Sequence, residues 1–165
     1  DAVEDDVVSK LYPVRNRTRL APELYARPGA VCSVTIAVKA RAPVFADKAI
    51  ARDTVEVLRS LAAQTGVPVY GYCIMPDHIH LVIGPSPTCD IIQFVAQFKF
   101  QALRASWQRG VKGSFWQQGF WDHFLRSDEG VERVVQYVLN NPVRKGMVES
   151  WRGYEFAGSL VLEMP

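Results

Sequence analysis

Two short apolar runs rich in β-forming residues, Val67 to Ile74 and Ile79 to Ile83, are separated by four residues, the turn-forming Met75, Pro76 and Asp77 and then His78. A parallel pair needs a crossover of a dozen residues or more, so two strands this close must run antiparallel around a tight turn. The rest of the chain builds on this hairpin. From Ala30, the residues Val31, Ser33, Thr35 and Ala37 alternate with Cys32, Val34, Ile36 and Val38, which predicts a strand with one buried face. Between Asp47 and Ala63, Ile50, Thr54, Val57, Leu58 and Leu61 recur at helical spacing, with Asp47 as N-cap and Gly66 as stop. A second amphipathic helix is predicted over Cys89 to Trp107, from Ile91, Ile92, Val95, Phe98, Ala102 and Leu103. An aromatic-rich extended segment follows over Ser114 to Leu125. A last helix over Glu129 to Leu139 is expected to stop at Pro142.

The order β-α-β-β-α-β plus a helix defines an α+β class, the ferredoxin-like or RRM-like split βαβ arrangement. It predicts a central antiparallel sheet of four or five strands with the two long helices on one face. Residues 1–29, with Pro13, Pro22, Pro28 and Gly29 and no sustained period, read as an N-terminal arm or irregular lead-in, and 30–165 as one domain. The 165 residues are 48% hydrophobic and 22% charged, which suits one domain with its own core. Eleven Gly and ten Pro without a repeat exclude collagen-like and low-complexity classes. Cys32, Cys73 and Cys89 form no CxxC pair, so neither a disulfide framework nor a thiolate zinc site is indicated. No apolar run approaches the ~18 residues of a membrane span, and the opening DAVEDDVVSK lacks the pattern of a signal peptide. A cytoplasmic protein without a membrane partner is expected.

The net charge of +2 announces no nucleic-acid partner by itself. Its distribution is uneven: acids at the start mask Lys10, Arg15, Arg17, Arg19 and Arg27, and Lys99, Arg104, Arg109 and Lys112 meet no acid between Asp90 and Asp122. From charge alone these read as a flexible arm and a solvated helix face.

His78 and His80 alternate on the second strand of the hairpin, so both imidazoles project to one face while Ile79 and Leu81 enter the other. Two imidazoles at this spacing can share a divalent metal. An isolated pair of this kind is more often plain surface or core, but two of the three histidines fall here, beside a turn. Tyr137 and Asn141 stand four apart and share a helix face. A side-chain amide oxygen can complete a metal shell, and a phenol beside it can act as nucleophile. The structural alternatives are an amphipathic anchor for Tyr137 and a helix C-cap for Asn141.

Three blocks, Tyr72-Cys-Ile-Met-Pro-Asp-His-Ile-His-Leu-Val-Ile83, Phe115-Trp-Gln-Gln-Gly-Phe-Trp-Asp-His-Phe-Leu-Arg126 and Tyr137-Val-Leu-Asn-Asn-Pro142, together resemble the signatures of REP-associated tyrosine transposases. These belong to the single-tyrosine HUH transposases of the insertion-sequence type. The likeness runs from about Arg17 to Gly158 in the order and spacing of all three blocks. It implies the HUH endonuclease fold and a domain that nicks and rejoins single-stranded DNA, often at hairpin-forming repeats, through a 5′-phosphotyrosine. It further implies Tyr137 as nucleophile and His78, His80 and Asn141 as ligands of Mg²⁺ or Mn²⁺; imidazole ligation alone leaves Zn²⁺ open. Asn141 stands where insertion-sequence relatives usually carry Gln, which favours the REP-associated branch. Asp77 replaces the more usual Asn or Glu.

The partner so implied is single-stranded or hairpin DNA, bound by a monomer or homodimer near the nucleoid. Lys99, Arg104 and Arg126 are candidate phosphate contacts. Phe115, Trp116, Phe120, Trp121 and Phe124 are candidate stacking platforms, of which some are expected in the core and only one or two on DNA; Trp116 is singled out, with a core position as its alternative. His123 is left out of the metal set. Arg144 and Lys145 either meet phosphate or offset the helix C-terminus. A histidine-triad hydrolase would need a third alternate histidine where Val82 stands. A domesticated hairpin-binding protein without cleavage is the remaining rival.

Overall fold

A computed structural model describes residues 19–165; Lys10, Arg15 and Arg17 of the proposed arm lie outside the described residues. The elements are α1 (Pro22–Ala26), β1 (Cys32–Ala37), α2 (Lys48–Thr65), β2 (Val69–Met75), β3 (His78–Ile83), α3 (Ile91–Trp107), β4 (Trp121–Phe124), α4 (Val131–Leu139), α5 (Asn141–Arg144) and β5 (Ala157–Gly158). The strands form one antiparallel sheet in the order β4-β1-β3-β2-β5, which puts β3 and its histidines in the middle.

Local chemistry sets the helix ends. Asp47 accepts from the backbone of Ala49 and Ile50 at the start of α2, and Gly66 closes it with a left-handed φ of 74°. Asp90 and Gln93 form a reciprocal capping box at the start of α3.

The two faces of the sheet are buried differently. Cys32, Val34, Ile36, Ile79, Leu81 and Ile83 pack with Leu58, Phe94 and Phe98 of the two long helices in the main core. On the opposite face Cys73, Met75 and Val82 meet Val135, Val138 and Leu139 of α4 in a second, smaller cluster. Gly71 lets α4 settle close: a Cβ there would lie 2.8 Å from Val135 Cγ1.

Two local expectations need revision, and the strand count settles at five. The lead-in is not irregular where it is described, because α1 inserts Tyr25 into the core, where its hydroxyl donates to Asp122 at 2.6 Å. Pro142 does not end the helical path. α4 stops at Leu139, Asn140 turns, and Pro142 sits in the first turn of α5, where a missing N–H costs no helical bond. A fifth strand, Ala157–Gly158, joins the β2 edge, a pairing too short to leave a period in the sequence.

Candidate active site

β3 aims His78 and His80 at the α4 face, where their Nε2 atoms stand 3.1 Å apart. Each ring is held from behind at Nδ1. His78 Nδ1 lies 2.6 Å from Asp77 Oδ1, and His80 Nδ1 lies 3.1 Å from Thr35 Oγ1, its cross-strand neighbour on β1. With the His78 Nδ1 proton donated to the carboxylate, Nε2 is left with its lone pair free to bind. The α4–α5 junction brings Asn141, itself buried, to His78 Nε2 at 3.3 Å through its side-chain amide. A half turn of that amide exchanges nitrogen for oxygen.

The surroundings keep both rings neutral. Burial lowers the pKa of His78 and carries that of His80 well below its ordinary value, with the nearby positive groups Arg144, Arg41 and Lys145 adding to the effect on His80. Partial burial works against the Asp77 carboxylate, but the bond from His78 and the Arg41 guanidinium outweigh it and hold its pKa below the usual range. Cys73, paired with His80 across β2, is no thiolate: burial pushes its thiol up to about 12.

This donor set fits a divalent cation. A single lone pair on His78 Nε2 cannot serve His80 and Asn141 together as ordinary hydrogen-bond partners, yet both converge on it. The two Nε2 atoms and the Asn141 amide gather within 3.1–3.3 Å, close enough that the three side chains together would hold one ion. Among the described residues no group of three or more His, Cys, Asp or Glu side chains gathers as a metal cluster. The set here is two imidazoles and an amide.

Tyr137 lies on α4, one turn ahead of Asn141, and is partly exposed. Arg144 reaches back from α5, donates to the Tyr137 carbonyl at 2.6 Å and lays its guanidinium 3.8 Å from the centre of the ring. The cations beside the imidazoles are therefore Arg41, Arg144 and Lys145. The sequence signalled the last two as beyond Pro142; nothing in it signalled Arg41.

The proposed DNA contacts are dispersed. Trp116 is corrected: it is 5% exposed, packs against Phe45 and Phe115, and donates its indole N–H to the Lys99 carbonyl, so it offers no ring face to a base. Lys99 and Arg104 lie on α3, across the sheet from the histidines. The Lys99 ammonium is spent on the carbonyls of Gln117 and Gly119, and burial lowers its pKa. Arg104 is exposed beside Phe100. Arg126 is exposed just past β4. Of the aromatic block, Phe115 is core, Phe120 lies under Arg19 and Phe124 against Tyr25. Trp121 differs: it pairs with Thr35 across β1, so it shares the histidine face, and it joins neither apolar cluster. His123 shares that face and is engaged by Glu129 at 3.1 Å.

The chain thus carries two imidazoles on the middle strand of an antiparallel sheet and, on the helical segment beyond it, a tyrosine one turn before an amide. The family described as "Transposase IS200 like" matches residues 30–141, and the chain belongs to it. The chain is similar to a putative REP-associated tyrosine transposase of Haemophilus influenzae (29% identity over 96 residues, 52% of this chain and 54% of the relative). It is also similar to the REP-associated tyrosine transposase of Escherichia coli (27% over 90 residues, 54% and 52%). The ISDra2 transposase TnpA of Deinococcus radiodurans matches at 32% over 69 residues, 41% of this chain and 49% of the relative. The matches thus span about half the length of these relatives. In fold, a REP-associated tyrosine transposase solved bound to a REP hairpin superposes with a TM-score of 0.67 at 20% identity, over 85% of this chain and 81% of that one. A putative transposase from Deinococcus radiodurans gives 0.50 at 23%, over 74% and 96%.

Proposed function

We propose that this chain nicks and rejoins single-stranded DNA at hairpin-forming repeats, with Tyr137 as nucleophile and His78, His80 and Asn141 as the holders of Mg²⁺ or Mn²⁺. The observation that carries the reading is the convergence of the two Nε2 atoms and the Asn141 amide within 3.1–3.3 Å, at the foot of the helix bearing Tyr137. The bound ion would offset charge on the non-bridging oxygens of a phosphodiester.

The protein's own groups supply the rest. The Tyr137 hydroxyl attacks phosphorus and loses its proton, the bond from phosphorus to the 3′-oxygen breaks, and a free 3′-hydroxyl and a 5′-phosphotyrosine result. A phenolate leaves more readily than an alkoxide, so a 3′-hydroxyl can reverse the step with no outside energy source. Asp77 and Thr35 keep each imidazole in one orientation through both directions. Arg144, laid on the Tyr137 ring, limits where the hydroxyl can travel. Lys99 and Trp116 leave the list of DNA contacts; Arg126 and Trp121 stand on it.

The protein would act on DNA in the cytoplasm, at the nucleoid. No helix among the described residues is long and apolar enough to cross a membrane. The test is cleavage of a panel of hairpin oligonucleotides with single-stranded flanks, with Mg²⁺, Mn²⁺ or chelator. Metal-dependent nicks and a covalent adduct lost in Tyr137→Phe, with hairpin binding retained, are expected. Binding without nicks would replace the reading by a hairpin-binding protein of the same fold.

A further inference from the structure

Between β1 and α2 the backbone makes an unusual turn. Ala40 and Arg41 are consecutive residues with φ of 53° and 54°, and they are the non-glycine residues at positive φ among those described. A left-handed pair without glycine is sterically disfavoured, and the surroundings must hold it. They do: Val38 N–H donates to the Asp77 carbonyl and Phe45 N–H to that of Pro76, tying the turn to the β2–β3 hairpin, and Lys39 N–H donates to the carbonyl of Phe115 in the segment ahead of β4. The result is that Arg41 points back over that hairpin. Its Nε donates to Asp77 Oδ2 at 3.0 Å, and its Nη2 stands 3.3 Å from His78 Nδ1.

The guanidinium is left with spare capacity. Arg52 and Arg109 each spend two nitrogens on one carboxylate, at Glu155 and Asp53. Arg41 spends one. Its Nη2 faces a ring nitrogen that already has Asp77 Oδ1 at 2.6 Å, so that nitrogen has no lone pair to give. The side chain is 55% exposed. A planar fork held at its Nε, with terminal N–H groups turned to the rim of the imidazole pair, is suited to a phosphate oxygen.

We propose that Arg41 is a phosphate-binding residue of the site, anchored through Asp77 and contributing its terminal N–H groups to a phosphodiester of the unpaired strand that lies over His78 and His80. The strained turn exists to deliver it. This rests on the proposed action on single-stranded DNA and adds a residue to it.

The test compares wild type, Arg41→Gln and Arg41→Lys, each checked by a melting curve. Binding is measured by fluorescence anisotropy in chelator across a salt series. The probes are a hairpin oligonucleotide carrying a single-stranded extension and the same hairpin blunt. Arg41→Gln should flatten the salt slope on the extended hairpin by about 0.7, one single-strand phosphate, and leave the blunt one unchanged. Arg41→Lys keeps the slope, because the charge remains, but loses cleavage rate at saturating DNA about tenfold or more, because a lysine lacks the fork that grips Asp77 and phosphate together. An unchanged slope in Arg41→Gln, with or without loss of cleavage, overturns the proposal while leaving the wild-type activity standing. A wild type that neither prefers the extended hairpin nor nicks it overturns both readings.

Discussion

Gly71→Ala tests whether the seat of α4 on the sheet controls the chemistry. The glycine sits on β2 under α4, and a methyl there would meet Val135 Cγ1 at 2.8 Å and Cγ2 at 3.2 Å. Carbon atoms rest at about 3.5–4.0 Å, so the first contact overlaps by nearly 1 Å. The backbone of Gly71 is not at positive φ, and alanine gains about 0.4–1 kcal/mol from a stiffer unfolded chain. Overpacking costs about 1–3 kcal/mol, leaving a net loss near 1–2 kcal/mol and a melting point lower by roughly 2–8 °C. The larger effect is on rate. If α4 relieves the clash by moving out, Tyr137 and Asn141 move with it, and a shift of about 1 Å can cost about 100-fold. Hairpin affinity should hardly change. Val135→Ala alone removes two methyls from a fully buried side chain, a loss of about 2 kcal/mol. The double variant lets the new methyl fill the vacated space, so the pair should couple favourably by about 1–3 kcal/mol and recover cleavage. The assays are thermal unfolding and single-turnover cleavage at saturating oligonucleotide. Wild-type rate and melting point in Gly71→Ala, or a rate loss the double variant does not recover, would refute the reasoning.

Isothermal titration of the metal-stripped protein with Mn²⁺ should show one site in wild type, weakened by about 10–100-fold or more in His78→Ala and His80→Ala. Equal affinity in all three would remove the imidazole pair from the metal. Asn141→Gln keeps the amide oxygen and should retain most cleavage, whereas Asn141→Leu, a near-isostere without it, should lose about 10–100-fold; equal rates would show that the amide is not a ligand. Tyr25 gives a pH prediction. Burial and the Asp122 carboxylate raise its phenol to about 12, so its contribution is whole below the unfolded value of about 10 and is lost as pH rises through 12. Chemical unfolding should show that alkaline loss in wild type and its absence in Tyr25→Phe.

The imidazole pair was legible because a strand has a period of two, which leaves the partition of His78 and His80 from Ile79 and Leu81 no freedom once the hairpin is placed. Asn141 was reached through its spacing to Tyr137, and its contact with His78 comes from the break at Asn140, which no residue pattern announced. Trp116 misled because an aromatic-rich segment shows which rings alternate, not that this one folds back onto Phe45 and the Lys99 carbonyl of the preceding helix. Lys99 misled for a related reason: a lysine on an amphipathic helix reads as solvated, and only the fold brings the Gln117 and Gly119 carbonyls to it. Arg41 was invisible because Lys-Ala-Arg carries no glycine to mark a left-handed turn. That conformation is imposed by bonds from a hairpin more than thirty residues away.

α4 packs on the histidine face chiefly over β2 and β3, and this decides where a stacked base should be sought. Across β1 from His80 the same face carries Trp121, opposite Thr35. Two strand spacings, roughly 10 Å, separate the β3 and β4 backbones there. A nucleotide with its phosphate at the imidazoles can therefore extend its base toward that ring. Trp121→Ala should lower affinity for an extended hairpin by about 1–3 kcal/mol with the salt slope unchanged, as loss of stacking does. Trp116→Ala should instead lower the melting point, because it empties a core position. Anisotropy titrations at several salt concentrations, with a melting curve for each variant, separate the two. Unaltered affinity in a folded Trp121→Ala would place the base elsewhere, and a melting point that falls as far as that of Trp116→Ala would make Trp121 a packing residue.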